Sequence, residues 1–211
     1  PHVLSRFGRA DIAYKLLHQK AWPSWLYAVT QGATTIWERW DGWTKENGFQ
    51  DKGMNSFNHY AIGSVGEWMW RVIAGINPDP AAPAFKHLFI KPNPVGGLTS
   101  ARASYDSVRG RIVSDWKLKD GRFHLAVTIP ANTTATVYIP AKDAAQVTES
   151  RTPLERAVGV TFLRMEAGCV VLRLDDHARR AGLRVPEPEL LQASAVGVRD
   201  RGDEVVAGHR A

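Results

Sequence analysis

The residues best suited to chemistry lie in one short stretch, residues 34–43 (TTIWERWDGW). A single carboxylate, Glu38, stands there between the indoles of Trp37 and Trp40. Aromatic walls exclude water and offer flat apolar faces to a sugar ring, and a carboxyl group beside them can act as an acid or a base. The pattern is typical of a glycosidase site. The alternative is a half-buried glutamate beneath a tryptophan-rich core, and these residues alone favour it.

Hydrolysis of a glycosidic bond usually requires two carboxyl groups, one that protonates the leaving oxygen and one that activates water or attacks carbon. Glu38 suits either role. Asp41 precedes Gly42 and is equally typical of a turn, in which its side chain would bond the local backbone. Glu46 and Glu67 are expected to be solvated. No second carboxylate has surroundings comparable to those of Glu38.

A second candidate, His59, lies among polar and aromatic residues at the predicted start of a helix. On spacing alone, a capping or core histidine is a commoner role than contact with a substrate. The sequence contains no histidine pair at metal-ligand spacing, no phosphate-cradling glycine loop and no serine in a nucleophile elbow. We therefore predict neither a metal nor a cofactor.

The composition excludes several classes of partner. The net charge of +6 comes from basic residues dispersed among acidic ones, which indicates a mixed surface and no nucleic-acid partner. The single cysteine, Cys169, excludes an internal disulfide framework and a thiolate cluster. No apolar run is long enough to span a membrane. The oligomeric state and the compartment stay open.

The first part of the chain has helical periodicity. Apolar residues recur at three- and four-residue intervals over residues 3–19, and a shorter helix is predicted at 25–30. A third helix is expected over residues 57–76, capped by Asn55 or Ser56. The proline-rich passage that follows predicts a domain boundary after residue 78.

Beyond this boundary the pattern alternates, as in strands. An antiparallel sandwich is predicted over residues 79–178, with Lys119-Asp120-Gly121 as a hairpin turn, and a flexible tail over residues 179–211. The strands are predicted at residues 86–91, 100–105, 111–118, 122–129, 135–139, 146–149, 159–165 and 169–174.

Four sequence blocks carry a family resemblance: TTIWERWDGW, SFNHYAIGSVGEWMWR, FIKPNP and TIPANTTATVYIP. In this order they resemble the C-terminal part of a bacterial alpha-L-rhamnosidase of glycoside hydrolase family 78, from near Pro1 to about Leu174. The first two blocks are specific, whereas the others are shared more loosely with related glycosidases. The resemblance implies the last helices of an (alpha/alpha)6 barrel followed by an antiparallel beta-sandwich. A helical pattern that starts near Pro1 likewise suggests a longer protein.

The resemblance also implies the site. Glu38 would be the general base that activates water in an inverting hydrolysis of terminal alpha-L-rhamnose, and a nearby Arg39 is expected to favour its ionised form. His59 would contact the bound rhamnose, the sugar of a rhamnose-containing glycoside or oligosaccharide. Trp37 and Trp40 are assigned to the subsite by inference from stacking. In inverting enzymes the two carboxyl groups stand roughly 6.5–9.5 Å apart, which leaves room for a water.

The family's general acid lies far upstream of these blocks, and no matching segment occurs in this chain. We therefore expect the isolated chain to be inactive and poorly stable, because an incomplete barrel exposes apolar faces. Two alternatives stay open. One is another (alpha/alpha)6-barrel glycosidase with a different terminal sugar. The other is a non-catalytic fragment, structural rather than carbohydrate-binding, since Trp116 is the lone tryptophan of the strand-rich half.

Overall fold

The protein is rich in strands and has few helices in a computed structural model that describes residues 1–186 and the strand at 206–208. The chain divides into two compact units, Pro1–Met69 and Trp70–Ala211. The first unit holds short helices and the second holds sheets in a sandwich-like arrangement. The domain limits expected from the sequence stay predictions.

Short helices dominate the first unit: α1 (His2–Arg6), α2 (Ala10–His18), α3 (Trp25–Gln31), α4 (Tyr60–Gly63) and α5 (Val65–Trp68). A single helix over residues 3–19 is wrong, because the chain breaks between α1 and α2, where Gly8 has a φ of 74°. The buried face of α2 holds Tyr14, whose ring meets Trp68 edge-on at a centroid distance of 5.2 Å.

The third predicted helix starts later than expected and is not continuous. His59, rather than Asn55 or Ser56, caps α4, since its Nδ1 atom accepts a hydrogen bond from the Ala61 N–H at 3.3 Å. Ser64 separates α4 from α5, and residues Met69–Ile73 continue as π-helical turns. The glycines of this segment lower its helix propensity, which agrees with the short pieces.

Between α3 and α4 the chain forms a two-stranded hairpin, β1 (Trp43–Thr44) with β2 (Gly48–Phe49), followed by a 3₁₀ turn at Lys52–Met54. Residues 33–42, which contain Glu38, connect α3 to β1 without regular secondary structure. Glu38 therefore lies in a loop, with α3 ending before it and β1 beginning after it in the sequence.

Two sheets form the second unit. The seven-stranded sheet has the order β10-β9-β13-β7-β6-β5-β14, and the five-stranded sheet has the order β11-β12-β8-β4-β3. The strands are β3 (Ile76–Pro78), β4 (His87–Ile90), β5 (Ser100–Ser107), β6 (Gly110–Lys119), β7 (Arg122–Thr128), β8 (Thr134–Pro140), β9 (Thr148–Glu149), β10 (Thr152–Pro153), β11 (Val160–Glu166), β12 (Cys169–Leu174), β13 (Arg180–Pro186) and β14 (Val206–Gly208). Short 3₁₀ turns lie at Ala144–Gln146, Leu154–Arg156 and Asp176–Ala178.

Alternating burial along the strands builds the core of this unit. On β6 the side chains of Ile112, Ser114 and Trp116 are fully buried, while their neighbours along the strand are more exposed. β8 and β12 bury a second set of side chains: Ala135, Val137, Ile139, Val170, Leu172 and Leu174. The strands predicted from alternation are confirmed, with ends that differ by a few residues, and so is the hairpin at Asp120 and Gly121, both of which have positive φ.

The sequence prediction of a flexible tail is wrong at its start. Residues Arg180–Pro186 form β13, which pairs with β7 over its whole length and buries Ala181, Leu183 and Val185. The period-two alternation of these three apolar residues was the missed signal. Farther on, Val206–Gly208 pairs in parallel with β5. The rest of the predicted tail, residues 187–205 and 209–211, lies outside the described residues.

Two features are absent from the described residues. Among those residues, no helix is both long and apolar enough to cross a membrane. In the same part of the chain, no group of three or more His, Cys, Asp and Glu side chains is placed to hold a metal ion.

Candidate active site

The loop that carries Glu38 lies antiparallel to a second irregular segment, residues 56–59, here called the facing segment. The Glu38 N–H donates to the Ser56 carbonyl oxygen at 2.8 Å, and the His59 N–H donates to the Ile36 carbonyl oxygen at 2.8 Å. The Thr35 hydroxyl donates to the Phe57 carbonyl oxygen. These bonds hold together two stretches that are far apart in the sequence and that have no ladder of regular strand bonds.

The Glu38 carboxylate is the centre of this contact. Its Oε2 atom accepts a hydrogen bond from the Ser56 N–H at 2.9 Å, and its Oε1 atom lies 3.8 Å from Nε2 of His59. The side chains are 25% exposed for Glu38 and 31% for His59, so both reach solvent while most of each is covered. The structure therefore brings together the two residues that the sequence singled out for chemistry.

The basic neighbour of Glu38 has another partner. The Arg39 guanidinium donates from Nε to Oδ1 of Asp41 at 3.1 Å, with a second, longer bond to Oδ2 at 3.4 Å. In the bonds described here, Arg39 thus pairs with Asp41, and the Glu38 carboxylate is bonded by the Ser56 N–H. Asp41 lies in a turn, as the alternative interpretation predicted, but its side chain bonds the Arg39 guanidinium rather than the local backbone.

The two tryptophans beside Glu38 are packed against aromatic neighbours. Trp37 is 8% exposed and meets Phe57 edge-on at 5.2 Å, whereas the partly exposed Trp40 meets Trp25 edge-on at 5.0 Å. Such edge-to-face pairs are favourable packing arrangements. Their assignment to sugar stacking stays a prediction, and the burial of Trp37 leaves little of its surface for a ligand.

Both indoles also line a small apolar cavity of about 60 Å³. Its lining residues are Trp25, Ala28, Val29, Ala33, Thr35, Ile36, Trp37, Arg39, Trp40 and Ile62. Glu38 and His59 do not line it. Ligand pockets usually have volumes of roughly 300–1,000 Å³, so this cavity is a packing feature next to the site rather than a sugar pocket.

Two features of the site were not predicted from the sequence. Ser56 acts through its backbone N–H, which every residue except proline carries, so its residue type does not reveal the contact. Tyr60 is 87% exposed, and its ring stacks on that of His59 at 5.5 Å with an interplanar angle of 8°. Its position directly after His59 was the available hint.

The arrangement of Glu38 and His59 suits proton transfer and hydrogen bonding. A partly exposed carboxylate with one oxygen fixed by an N–H and the other near an imidazole can accept a proton or bond a hydroxyl group. Because the Ala61 N–H donates to Nδ1 of His59, the neutral ring carries its proton on Nε2. A distance of 3.8 Å is too long for a direct hydrogen bond between Nε2 and Glu38.

Comparison with known families identifies two adjoining matches. Residues 1–73 match the model of the bacterial alpha-L-rhamnosidase 6 hairpin glycosidase domain. Residues 75–153 match the model of the bacterial alpha-L-rhamnosidase C-terminal domain. The chain is 44% identical over 178 residues to an alpha-L-rhamnosidase of Streptomyces avermitilis, covering 84% of this chain and 16% of that protein. It is 46% identical over 138 residues to one of Formosa agariphila, covering 65% of this chain and 15% of that protein.

Solved structures agree with these matches. The Streptomyces avermitilis alpha-L-rhamnosidase, solved in complex with L-rhamnose, superposes with a TM-score of 0.75 at 43% identity, covering 87% of this chain and 17% of that one. The alpha-L-rhamnosidase from Dictyoglumus thermophilum superposes with a TM-score of 0.72 at 30% identity, covering 88% and 20%. The chain therefore spans less than a quarter of the length of each of these relatives.

Proposed function

The chain belongs to the bacterial alpha-L-rhamnosidase family, and we propose that it works as the C-terminal part of an enzyme that hydrolyses terminal, non-reducing alpha-L-rhamnose from rhamnosides. In this proposal residues 1–78 supply the last helices of an (alpha/alpha)6 barrel, and residues 79–178 supply the sandwich that follows it. The substrate is a rhamnose-containing glycoside or oligosaccharide. Glu38 is the general base.

The proposed reaction is a single displacement. A water molecule attacks the anomeric carbon from the face opposite the leaving group while Glu38 accepts a proton from that water. The bond between the anomeric carbon and the glycosidic oxygen breaks, and this oxygen takes a proton from a general acid that another part of the enzyme supplies. Free rhamnose is released with inverted configuration, together with the alcohol from which it was cleaved.

The position of Glu38 carries the proposal. The Ser56 N–H fixes Oε2, which leaves Oε1 to receive the proton from water. A base in this role must be within hydrogen-bond reach of the water that it activates, and a carboxylate fixed at one oxygen meets this requirement better than a free side chain. The partial exposure of Glu38 gives water access to it.

His59 is proposed to contact the sugar. With Nδ1 occupied by the Ala61 N–H, Nε2 carries a hydrogen that a rhamnose hydroxyl can accept. The distance of 3.8 Å between Nε2 and Oε1 of Glu38 is too long for a hydrogen bond, so the imidazole N–H is available to the sugar. His59 would thus orient the sugar, and Glu38 would act on the water.

The test is Glu38→Gln in the full-length enzyme. Loss of the base is expected to lower kcat by roughly 10²–10⁴-fold while L-rhamnose still binds, since general base catalysis contributes a factor of this size. Glu46→Gln is the matched control, because Glu46 is an exposed carboxylate in the adjoining turn. Near-normal turnover of Glu38→Gln would mean that Glu38 has a structural role instead.

A further inference from the structure

We infer that Thr35 is a positioning residue for Glu38: its hydroxyl holds the facing segment in place, so that the Ser56 N–H reaches the Glu38 carboxylate. The Thr35 hydroxyl donates to the Phe57 carbonyl oxygen, directly after Ser56 in the chain. The inference rests on the proposed role of Glu38 as the base. It adds a residue that touches neither substrate nor water.

Few hydrogen bonds join the Glu38 loop to the facing segment. The Glu38 loop and the facing segment lie outside the regular strands, so no extended ladder holds them together. Two backbone bonds join them, from Glu38 to Ser56 and from His59 to Ile36. The Thr35 side-chain bond falls between these two on the facing segment, and with the bond from the Ser56 N–H to Glu38 it is one of four hydrogen bonds described between the two stretches.

The Glu38 carboxylate is bonded by the backbone of the facing segment. Oε2 of Glu38 accepts its 2.9 Å bond from the backbone of Ser56, so the direction of the carboxyl group follows the position of that backbone. The same segment carries His59, whose Nε2 atom lies 3.8 Å from Oε1. The bond from the His59 N–H to the Ile36 carbonyl oxygen holds the other end of this segment, so loss of the Thr35 bond would move the Ser56 N–H away from the base while the imidazole keeps its place.

Thr35 can be replaced by residues of similar size. Thr35 is exposed and is one of the residues that line the small cavity beside Trp37, and its hydroxyl has one assigned partner. Valine keeps the shape of the side chain and removes the hydroxyl. Serine keeps the hydroxyl and removes the methyl group. The two replacements separate the hydrogen bond from the packing.

Loss of the Thr35 bond is expected to lower turnover more than substrate binding. A small misplacement of a catalytic group costs up to about 100-fold in rate without a matching loss of substrate binding. We therefore expect Thr35→Val to lower kcat by about 10- to 100-fold, with KM and the Kd for L-rhamnose changed by less than about twofold. Thr35→Ser should recover most of the lost kcat.

The experiment uses the full-length enzyme and an aryl rhamnoside as substrate. Steady-state kinetics, the Kd for L-rhamnose and the Tm are measured for Thr35→Val, Thr35→Ser and a control, Thr34→Val. Thr34 is the adjacent exposed threonine and has the same shape. A loss of kcat in Thr35→Val, recovery in Thr35→Ser and normal kinetics in Thr34→Val support the inference.

Three results would overturn it: a kcat of Thr35→Val that matches the unmodified enzyme, a Thr35→Ser variant as slow as Thr35→Val, or a loss that falls on KM as much as on kcat. If Thr35→Val does not accumulate as folded protein, Thr35→Ala removes the same hydroxyl with a smaller side chain.

Glu38→Gln in the same assay separates the two proposals. An active Glu38→Gln refutes the base, whereas an inactive Glu38→Gln with a normal Thr35→Val refutes positioning alone.

Discussion

Gly75 is the backbone position at which a single added methyl group should damage the second unit most clearly. It lies between the π-helical turns and β3, with a φ of 80°, and its carbonyl oxygen accepts the Lys91 N–H at 2.8 Å. A Cβ atom there would fall 2.2 Å from the Pro92 nitrogen and 2.3 Å from the Lys91 carbonyl carbon. Both atoms belong to the backbone, so neither can rotate away.

Two energetic costs determine how much Gly75→Ala should destabilise the fold. Placing alanine at a positive φ costs about 1–2 kcal/mol, because its Cβ atom crowds the following carbonyl oxygen. Overpacking a fixed environment adds about 1–3 kcal/mol. Gly168 isolates the first cost, since it has a φ of 75° and no atom within 4 Å of its added Cβ. We therefore expect Gly75→Ala to destabilise the fold by about 2–5 kcal/mol and Gly168→Ala by about 1–2 kcal/mol.

Urea unfolding of both variants, followed by circular dichroism, measures the difference in the free energy of unfolding. The account requires that Gly75→Ala lose clearly more stability than Gly168→Ala. Equal losses in the two variants would show that the backbone at Lys91 and Pro92 yields to the added methyl group, and would refute the close approach on which the estimate rests.

Two further predictions concern acid stability and the isolated chain. The Ala81 N–H and then the His87 ring hold the pKa of Asp79 below its usual 3.8. The stabilisation by ionised Asp79 is thus present above about pH 4 and lost as the pH falls through the lowered pKa. The Tm of Asp79→Asn should therefore fall less than the Tm of the parent between about pH 5 and 3. Equal falls in Tm would contradict this prediction. The isolated chain should show no rhamnoside hydrolysis and should bind a hydrophobic dye through exposed side chains such as Phe7 and Phe49. A clear hydrolysis rate would contradict that expectation.

The strands could be predicted because their signal is local. Alternating apolar residues indicate which face of a strand is buried, and Asp120-Gly121 marks the turn between two strands. The structure confirms both the strands and the turn. β13 was missed, although Ala181, Leu183 and Val185 alternate, because the surrounding prolines and charges suggested a tail. Pairing with β7 outweighed that local composition.

The helices were harder to predict for a physical reason. Apolar periodicity gives the face of a helix but not its breaks, which at Gly8 and Ser64 depend on local geometry and on packing. At the candidate site, too, some features could be predicted from the sequence and others could not. Residue types drew attention to Glu38 and His59, and the structure places them side by side. The bond from the Ser56 N–H depends on how two loops meet, which no local pattern contains, whereas the pairing of Arg39 with Asp41 is a contact within one loop.

The stereochemistry of the reaction tests the central claim, that Glu38 activates water rather than attacking carbon. Proton NMR of the full-length enzyme acting on an alpha-L-rhamnoside identifies the first anomer released, before mutarotation mixes the two forms. The account predicts beta-L-rhamnose as the first product, since a base-activated water inverts the anomeric centre. Initial release of alpha-L-rhamnose would mean retention, and would contradict the role proposed for Glu38.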